Sequence, residues 1–184
     1  MHDPYVLPDD LPVPQDDGGA AHLPGRRIPH VALASTAGGT IDLAAIPGTA
    51  IVFAYPRSGV PGVDAPPGWD AIPGARGCTP HTSGYRDLHA EFVALGAAVF
   101  GLSTQDTAYQ RELAERLGVR FPILSDEQLV LTHALRLPTM DVAGMTLNKR
   151  LAWIARDGVI ERVFYPVFPP DRNAEVVLAA LRER

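Results

Sequence analysis

The sequence predicts an α/β protein in which a mixed central sheet is flanked by helices. Two continuous apolar runs, TAIVFAYP at 49–56 and AAVFGLS at 97–103, are typical of strands that are buried on both faces. The second run is followed by DTAYQRELAERLG, which has helical periodicity. Later, RLAWIARDGVIERVFYP alternates around an Asp-Gly turn and indicates an antiparallel hairpin. Buried strands with intervening helices and a hairpin together predict a mixed sheet.

Length and composition indicate one domain and exclude several functions. The chain has 184 residues, of which 46% are hydrophobic, and this is enough for a single core. A net charge of −5 without a run of Lys and Arg argues against nucleic-acid binding. The acidic, proline-rich start does not resemble a signal peptide, and no stretch of about 18 apolar residues occurs. We therefore expect a cytoplasmic monomer or homodimer without a membrane or nucleic-acid partner.

The sequence divides into an N-terminal arm and a folded domain. Residues 1–24 are rich in Pro and Asp and predict an extended or mobile arm, whereas residues 25–184 are expected to form the domain. Within that domain, HVALASTAGGTIDL predicts an N-terminal hairpin around two glycines. Residues 57–77 are dense in Gly and Pro and predict a long loop. One helix is expected after this loop, with an apolar face formed by Tyr85, Leu88, Phe92 and Leu95.

The predicted helix begins at Cys78, which is the only cysteine of the chain. A single cysteine cannot form an internal disulfide, and free cysteines are often simply small buried hydrophobic residues. However, Cys78 follows Gly77 at a helix start, with Thr79 and Pro80 suited to the cap and first turn. Unpaired N–H groups and the helix dipole favour a thiolate at such a position. Packing and chemistry therefore both remain open interpretations of this residue.

Two segments resemble the peroxiredoxins of the bacterioferritin-comigratory or Q type. The first is FAYP, followed after the loop by GCTPHTSGYRDLHAEF, and the second is VFGLSTQDTAYQRELAERLGVRFPILSDEQLVLTHAL. The resemblance extends from about Arg26 to the C-terminus. It implies a thioredoxin fold, to which the residues of this chain add an N-terminal hairpin and a Gly/Pro-rich insertion before the catalytic helix.

The resemblance also implies roles for individual residues. Cys78 would be the peroxidatic cysteine, which attacks a hydroperoxide, becomes a sulfenic acid and releases water or an alcohol. Pro56 and Gly77 would contribute to substrate binding. In KRLAWIARDG, Arg150 would lie beside the thiolate if the following turn is one residue shorter than usual, and Lys149 is the alternative register. No cofactor or metal is implied.

Two departures from the family pattern affect the expected cycle. Ala75 stands where the family has a threonine, so the peroxide-holding hydroxyl is missing or is replaced, with Thr79 as a candidate. Ser83 stands where many members of the subgroup carry the resolving cysteine. An external thiol, such as thioredoxin or a low-molecular-weight thiol, would then close a one-cysteine cycle, unless Ser83 is an engineered change. His81 is expected to be solvated on the first helical turn, and the alternative is that it acts as a base or raises the positive potential near the thiol.

The sequence predicts a thiol-dependent peroxidase that reduces hydrogen peroxide and organic hydroperoxides. The alternative is a redoxin-fold protein that binds a partner or senses redox state without peroxidase turnover, as the alanine and serine substitutions suggest. A cysteine hydrolase is a third hypothesis, but no Cys-His-Asn or Cys-His-Asp arrangement is evident in the sequence.

Overall fold

The computed structural model describes Asp3 and residues 5–183. The strands are β1 Leu33–Ser35, β2 Thr40–Ile41, β3 Thr49–Ala54, β4 Ala97–Ser103, β5 Ile123–Ser125, β6 Thr139–Val142, β7 Met145–Asn148, β8 Leu151–Arg156 and β9 Val159–Phe164. The α-helices are α1 Cys78–Asp87, α2 His89–Ala94, α3 Thr107–Leu117, α4 Val130–Leu135 and α5 Asn173–Arg182. Short 3-10 helices occupy Leu43–Ala45, Trp69–Ala71 and Pro170–Arg172.

The main sheet has seven strands in the order β2-β1-β5-β4-β3-β8-β9. Strand β3 is parallel to β4 and antiparallel to β8, and β4 is parallel to β5. All six residues of β3 are buried, as expected for a central strand that is covered on both faces. The predicted mixed sheet, its central strands and both of the predicted hairpins are therefore confirmed.

Alternating side chains of β3 supply two hydrophobic cores, one on each face of the sheet. Ile51 and Phe53 belong to a core that also takes in buried residues from α1, α2, α3 and α5. Val52 belongs to the opposite core, which contains α4 residues together with Ala20 and Leu23 from the N-terminal segment. Helices on both faces of a mixed sheet are the predicted architecture. The division of the chain at residue 24 stays a prediction.

The helix expected after the loop is broken at Leu88. There φ is −96° and ψ is 6°, which ends α1, and α2 starts at the next residue. The change of direction keeps Tyr85 and Phe92 buried but leaves Leu95 44% exposed. The prediction of one continuous apolar face through Leu95 is therefore wrong.

The Gly/Pro-rich insertion at 57–77 has its own small core. Trp69 is 6% exposed and clusters with Ala75 of the insertion and with Val142 and Leu147 of the β6–β7 hairpin. That hairpin was not predicted from the sequence. It connects this cluster directly to Lys149 and Arg150, because β7 ends at Asn148 and β8 begins at Leu151.

Candidate functional site

Cys78 is the first residue of α1. Its helix is capped by Gly77, which has a φ of 108° and so adopts a conformation that glycine tolerates well. The His81 N–H donates to the Gly77 carbonyl at 2.9 Å, so the helix is hydrogen-bonded from this point onward. The preceding N–H groups lack partners within the helix and form the positive end of its dipole. Cys78 is only 4% exposed and packs in the same core as Tyr55.

The Arg150 guanidinium lies against the sulfur of Cys78. Its Nη2 donates to Cys78 Sγ at 3.2 Å and to the carbonyl oxygens of Ala75 at 3.0 Å and Arg76 at 3.2 Å. Arg150 is 3% exposed, so the guanidinium and the thiol meet in a desolvated site. Charge stabilisation between such groups is stronger here than it would be in water. The loop carbonyls and the sulfur together fix the orientation of the guanidinium.

His81 holds Arg150 from the other side and is itself held by Asn173, which also binds Tyr85. Arg150 Nη1 is 3.0 Å from His81 Nδ1, while His81 Nε2 is 2.9 Å from Asn173 Oδ1. Because a guanidinium only donates, Nδ1 accepts and Nε2 carries the proton, and this assigns the neutral tautomer. The Tyr85 hydroxyl also donates to Asn173 Oδ1, at 2.6 Å. This chain of bonds joins α1 to the start of α5.

The pKa of His81 lies well below its ordinary value because the ring is fully buried and faces the positive charge of Arg150. The imidazole is therefore neutral, which is the state that accepts a hydrogen bond from the guanidinium. The expectation that His81 is solvated is wrong, because its exposed fraction is zero. Its place on the buried face of α1 results from the bonds on both of its nitrogens.

The other residues singled out from the sequence lie at varying distances from this centre. Ala75 contributes its backbone carbonyl to Arg150. Thr79 and Ser83 both line a second pocket, which extends along α1 to Asp171 and Glu175. Pro56 is buried after β3, and neither Pro56 nor Thr79 lines the cavity that contains Arg150.

A cavity of about 240 Å³ reaches Arg150 from the surface. Apolar side chains line much of it, including Ile72, Met140 and Val167. Lys149 also lines this cavity, but its Nζ is paired with Asp17 Oδ2 at 2.6 Å. The geometry thus provides a buried thiol with a fixed cation beside it, and an apolar cavity that reaches the cation, while Cys78 itself does not line that cavity. Such a site suits attack by sulfur on a small electrophile with a developing negative charge.

Comparison with known proteins assigns the chain to a family. A sequence model of the Redoxin family matches residues 23–180, which include every residue of the site. The chain belongs to the Redoxin family. Among the residues that the structure describes, this redoxin has no helix of the length and apolarity needed to cross a membrane. The cytoplasmic location stays a prediction.

The relatives of this redoxin are peroxiredoxins. It is 24% identical over 159 residues to peroxiredoxin Q, chloroplastic, of Oryza sativa subsp. japonica, covering 86% of this chain and 66% of that protein. It is 26% identical over 136 residues to a putative peroxiredoxin of Mycobacterium tuberculosis, covering 73% of this chain and 79% of that protein. The expected resemblance to the Q type is thereby confirmed, while the chain spans about two thirds of the length of the rice relative.

Solved structures of the same class share the fold of this redoxin. Peroxidoxin BcpB from Mycobacterium tuberculosis superposes with a TM-score of 0.70 at 25% identity, covering 87% of this chain and 96% of that chain. The bacterioferritin comigratory protein of Xanthomonas campestris gives a TM-score of 0.66 at 20% identity, covering 95% of this chain and 98% of that chain. The predicted thioredoxin-type fold is confirmed.

Sequence reasoning missed two members of the site, Tyr85 and Asn173. A partial signal existed for Tyr85, since it lies four residues after His81 and therefore on the same helical face. Asn173 is 92 residues away from His81 in the chain, and no local pattern connects them.

Replacing Gly77 by alanine is expected to destabilise the redoxin strongly. A Cβ atom at this position would lie 2.4 Å from Pro170 Cγ, and φ is unfavourable for alanine. Gly62→Ala is the matched control, because Gly62 has a φ of 81° but nothing within 4 Å of the added atom. We expect Gly77→Ala to lower the free energy of unfolding by about 1–3 kcal/mol more than the control does. Equal losses in urea denaturation would contradict the steric argument.

The neutral, buried His81 predicts a pH dependence of stability. An unfolded chain protonates this histidine below about pH 6.5 whereas the folded chain does not, so its contribution is present above that pH and is lost on acidification. We expect the advantage of the parent over His81→Gln to shrink by up to about 1.4 kcal/mol per pH unit below 6.5. The control is His133→Gln at an exposed helical position. A constant offset for His81→Gln would overturn the assignment.

Proposed function

We propose that the protein is a thiol-dependent peroxidase in which Cys78 is the peroxidatic cysteine. The observation that carries this proposal is the 3.2 Å contact from Arg150 Nη2 to Cys78 Sγ at the start of α1. It is supported by the peroxiredoxin names of the relatives, although the chain covers only 66% of the rice protein. Arg150, rather than Lys149, is the cation that the contacts favour for this role.

The reaction is a two-electron transfer at sulfur. The Cys78 thiolate attacks one oxygen of the hydroperoxide, an S–O bond forms and the O–O bond breaks. The departing oxygen leaves as water or an alcohol after taking up a proton. Sulfur is thereby oxidised to a sulfenic acid while the peroxide is reduced.

Arg150 serves both sides of this step. Its positive charge stabilises the attacking thiolate and the negative charge that develops on the departing oxygen. The unpaired N–H groups at the start of α1, around Gly77 and Cys78, supply further donors. The threonine hydroxyl expected at position 75 is absent, and residue 75 contributes only its backbone carbonyl, which helps to orient the guanidinium.

The cavity next to Arg150 supports hydrogen peroxide and organic hydroperoxides as the substrates. Ile72, Met140 and Val167 offer an apolar wall to the organic part of a hydroperoxide. The Xanthomonas campestris protein of the same fold has an alkyl peroxide reduction activity. Hydroperoxides are proposed as substrates because the cavity at Arg150 has an apolar wall and because a thiolate reacts with a peroxide oxygen.

The sulfenic acid needs a thiol from outside the chain. Cys78 is the only cysteine, and Ser83 at the usual resolving position cannot form a disulfide. In α1 the two positions also differ by about 140° around the helix axis. A one-cysteine cycle is therefore proposed. The first external thiol forms a mixed disulfide with Cys78 and releases water, and the second restores the Cys78 thiol while the two external thiols leave joined as a disulfide. Thioredoxin or a low-molecular-weight thiol fits this requirement.

Intact mass spectrometry tests the proposal directly. One equivalent of hydrogen peroxide is expected to add one oxygen atom to the protein, at Cys78, and excess dithiothreitol is expected to remove it. Protein whose thiol has been alkylated beforehand is the control and should gain nothing. If Cys78 remains a free thiol, the alternative of a redoxin-fold binding protein is favoured and the peroxidase proposal fails.

A further inference from the structure

Residues 5–17 of the N-terminal arm lie across the candidate site, although they precede the part of the chain that matches the Redoxin family at 23–180. A Cβ atom built on Gly77 would be only 3.0 Å from Leu7 Cδ2, so Leu7 sits directly on the helix cap beside Cys78. Pro14 is similarly close to Gly74, at 3.6 Å from the corresponding atom. The arm therefore covers the loop that leads into the thiol.

One attachment of the arm is made through arginine side chains of the domain. Arg76 Nη2 donates to the carbonyl oxygens of Asp3 at 2.9 Å and of Val6 at 3.0 Å. The guanidinium of Arg116 lies over the Tyr5 ring, 5.4 Å from its centroid. The contacts of Arg76 are made to the backbone of the arm, whereas Arg116 contacts a side chain, the ring of Tyr5.

A second attachment is made at the other end of the arm by Asp17. Its carboxylate pairs with Lys149 Nζ at 2.6 Å and accepts from the Tyr165 hydroxyl at 2.7 Å. These two bonds hold the pKa of Asp17 below its ordinary value, so the attachment stays charged at neutral pH. The Asp17 side chain is 46% exposed, and exposed ion pairs contribute little to stability. Because this attachment is weak, the arm can separate from the domain there without unfolding of the whole protein.

The arm narrows the approach to Arg150, the guanidinium that contacts Cys78. Pro14 and Gln15 form one wall of the 240 Å³ cavity that reaches Arg150, and a second gap bordered by Leu11 and Pro12 has only about 10 Å³. Cys78 itself lines neither space, but a hydroperoxide or a small thiol in the larger one lies beside the guanidinium that contacts the sulfur. A thiol on a folded protein does not fit there, because disulfide bonding requires an S–S distance of about 2.05 Å and brings the partner backbone close to Cys78.

We propose that residues 5–17 are a specificity-determining segment, which admits small molecules to Cys78 and excludes thiols carried on proteins until it detaches. Detachment is a local opening of the structure. The rate at which a large reactant modifies Cys78 is therefore proportional to the fraction of molecules in which the arm is detached. The consequence for turnover rests on the proposed function: small thiols reduce the closed protein, whereas a protein reductant acts on the open one. The accessibility of the thiol does not depend on peroxidase activity.

Alkylation of reduced, full-length protein tests this accessibility, and the single cysteine means that every label reports Cys78. The probes are N-ethylmaleimide and the same maleimide carried on a polyethylene glycol chain. The double variant Leu7→Ala/Asp17→Ala removes a contact at each end of the arm. Its matched control is Asp10→Ala/Val13→Ala, at two exposed arm positions.

We expect the double variant to react about tenfold faster with the polymer-bound maleimide while its rate with N-ethylmaleimide changes less than about threefold. The control variant should match the parent with both probes. Tyr165→Phe, which removes only the hydroxyl bonded to Asp17, should shift the polymer rate in the same direction without disturbing the fold. An unchanged polymer rate in both variants, or an equal rise with both probes, would overturn the proposal.

Turnover measurements separate this inference from the proposed function. In the double variant, turnover supported by thioredoxin should rise relative to turnover supported by dithiothreitol. If neither protein consumes peroxide, the proposed function fails while the alkylation result still decides the role of the arm. A different outcome contradicts only the role of the arm. In that outcome peroxide is consumed, but the double variant has the parental ratio of thioredoxin-supported to dithiothreitol-supported turnover and the parental rate of labelling by the polymer-bound maleimide.

Discussion

Cys78→Ser is expected to reduce hydroperoxide consumption to the uncatalysed rate, a loss of about three orders of magnitude or more. The hydroxyl of serine is not ionised in this site and is a poor nucleophile towards a peroxide oxygen. The fold should persist, because the substitution changes little volume at a position that is 4% exposed. Peroxide consumption in the presence of dithiothreitol measures the effect, with circular dichroism as a check of the fold.

Ser83→Ala is the matched control for this variant. Ser83 lies on the same helix but lines the second pocket rather than the cavity at Arg150. It should retain the turnover of the parent. Turnover by the Cys78 variant at the parental rate would refute a peroxidatic role for this thiol.

Arg150→Gln is expected to lower kcat/KM for hydroperoxide by about 10²–10³-fold. The shorter amide side chain carries no charge to stabilise the thiolate or the departing oxygen. Arg150→Lys should recover only part of the loss, because an ammonium cannot serve Cys78, His81 and the loop carbonyls with one planar fork. Second-order rates from stopped-flow mixing with peroxide provide the measurement.

Lys149→Gln distinguishes the two adjacent cations. Lys149 binds Asp17 rather than the thiol, so we expect a change in the peroxide rate of less than about threefold. A loss as large as that of Arg150→Gln would mean that the alternative register describes the working enzyme. If Arg150→Gln retained full activity, the contact between Arg150 and Cys78 would have no catalytic importance and the proposed function would lose its main support.

The sheet was predictable because its strands carry strong local signals. The run in β3 is apolar at nearly every position, and the β8–β9 hairpin has an Asp-Gly turn. The β6–β7 hairpin lacked such a signal, since its turn residues are Ala143 and Gly144, with φ values of 50° and 78°. Alanine rarely adopts this conformation, so a sequence pattern does not point to it.

The site was predictable only in part, and for a different reason. The helix start at Cys78 follows from the local sequence, whereas the position of Arg150 depended on the resemblance to a family. The environment of His81 depends on Asn173 and Arg150, which are distant in the chain and come close only after the sheet has formed. The contacts of Leu7 and Asp17 could not be foreseen, because the composition of the arm indicates only that it forms no core of its own.

The small core around Trp69 has a consequence for how this chain tolerates change. The cluster contains Ala75, three residues before Cys78, and Leu147, three residues before Arg150. The spacing of the thiol and the guanidinium is therefore set jointly by this cluster and by the main core that contains Cys78. Substitutions in the insertion or in the β6–β7 hairpin are thus expected to alter that spacing even where the main sheet is unchanged.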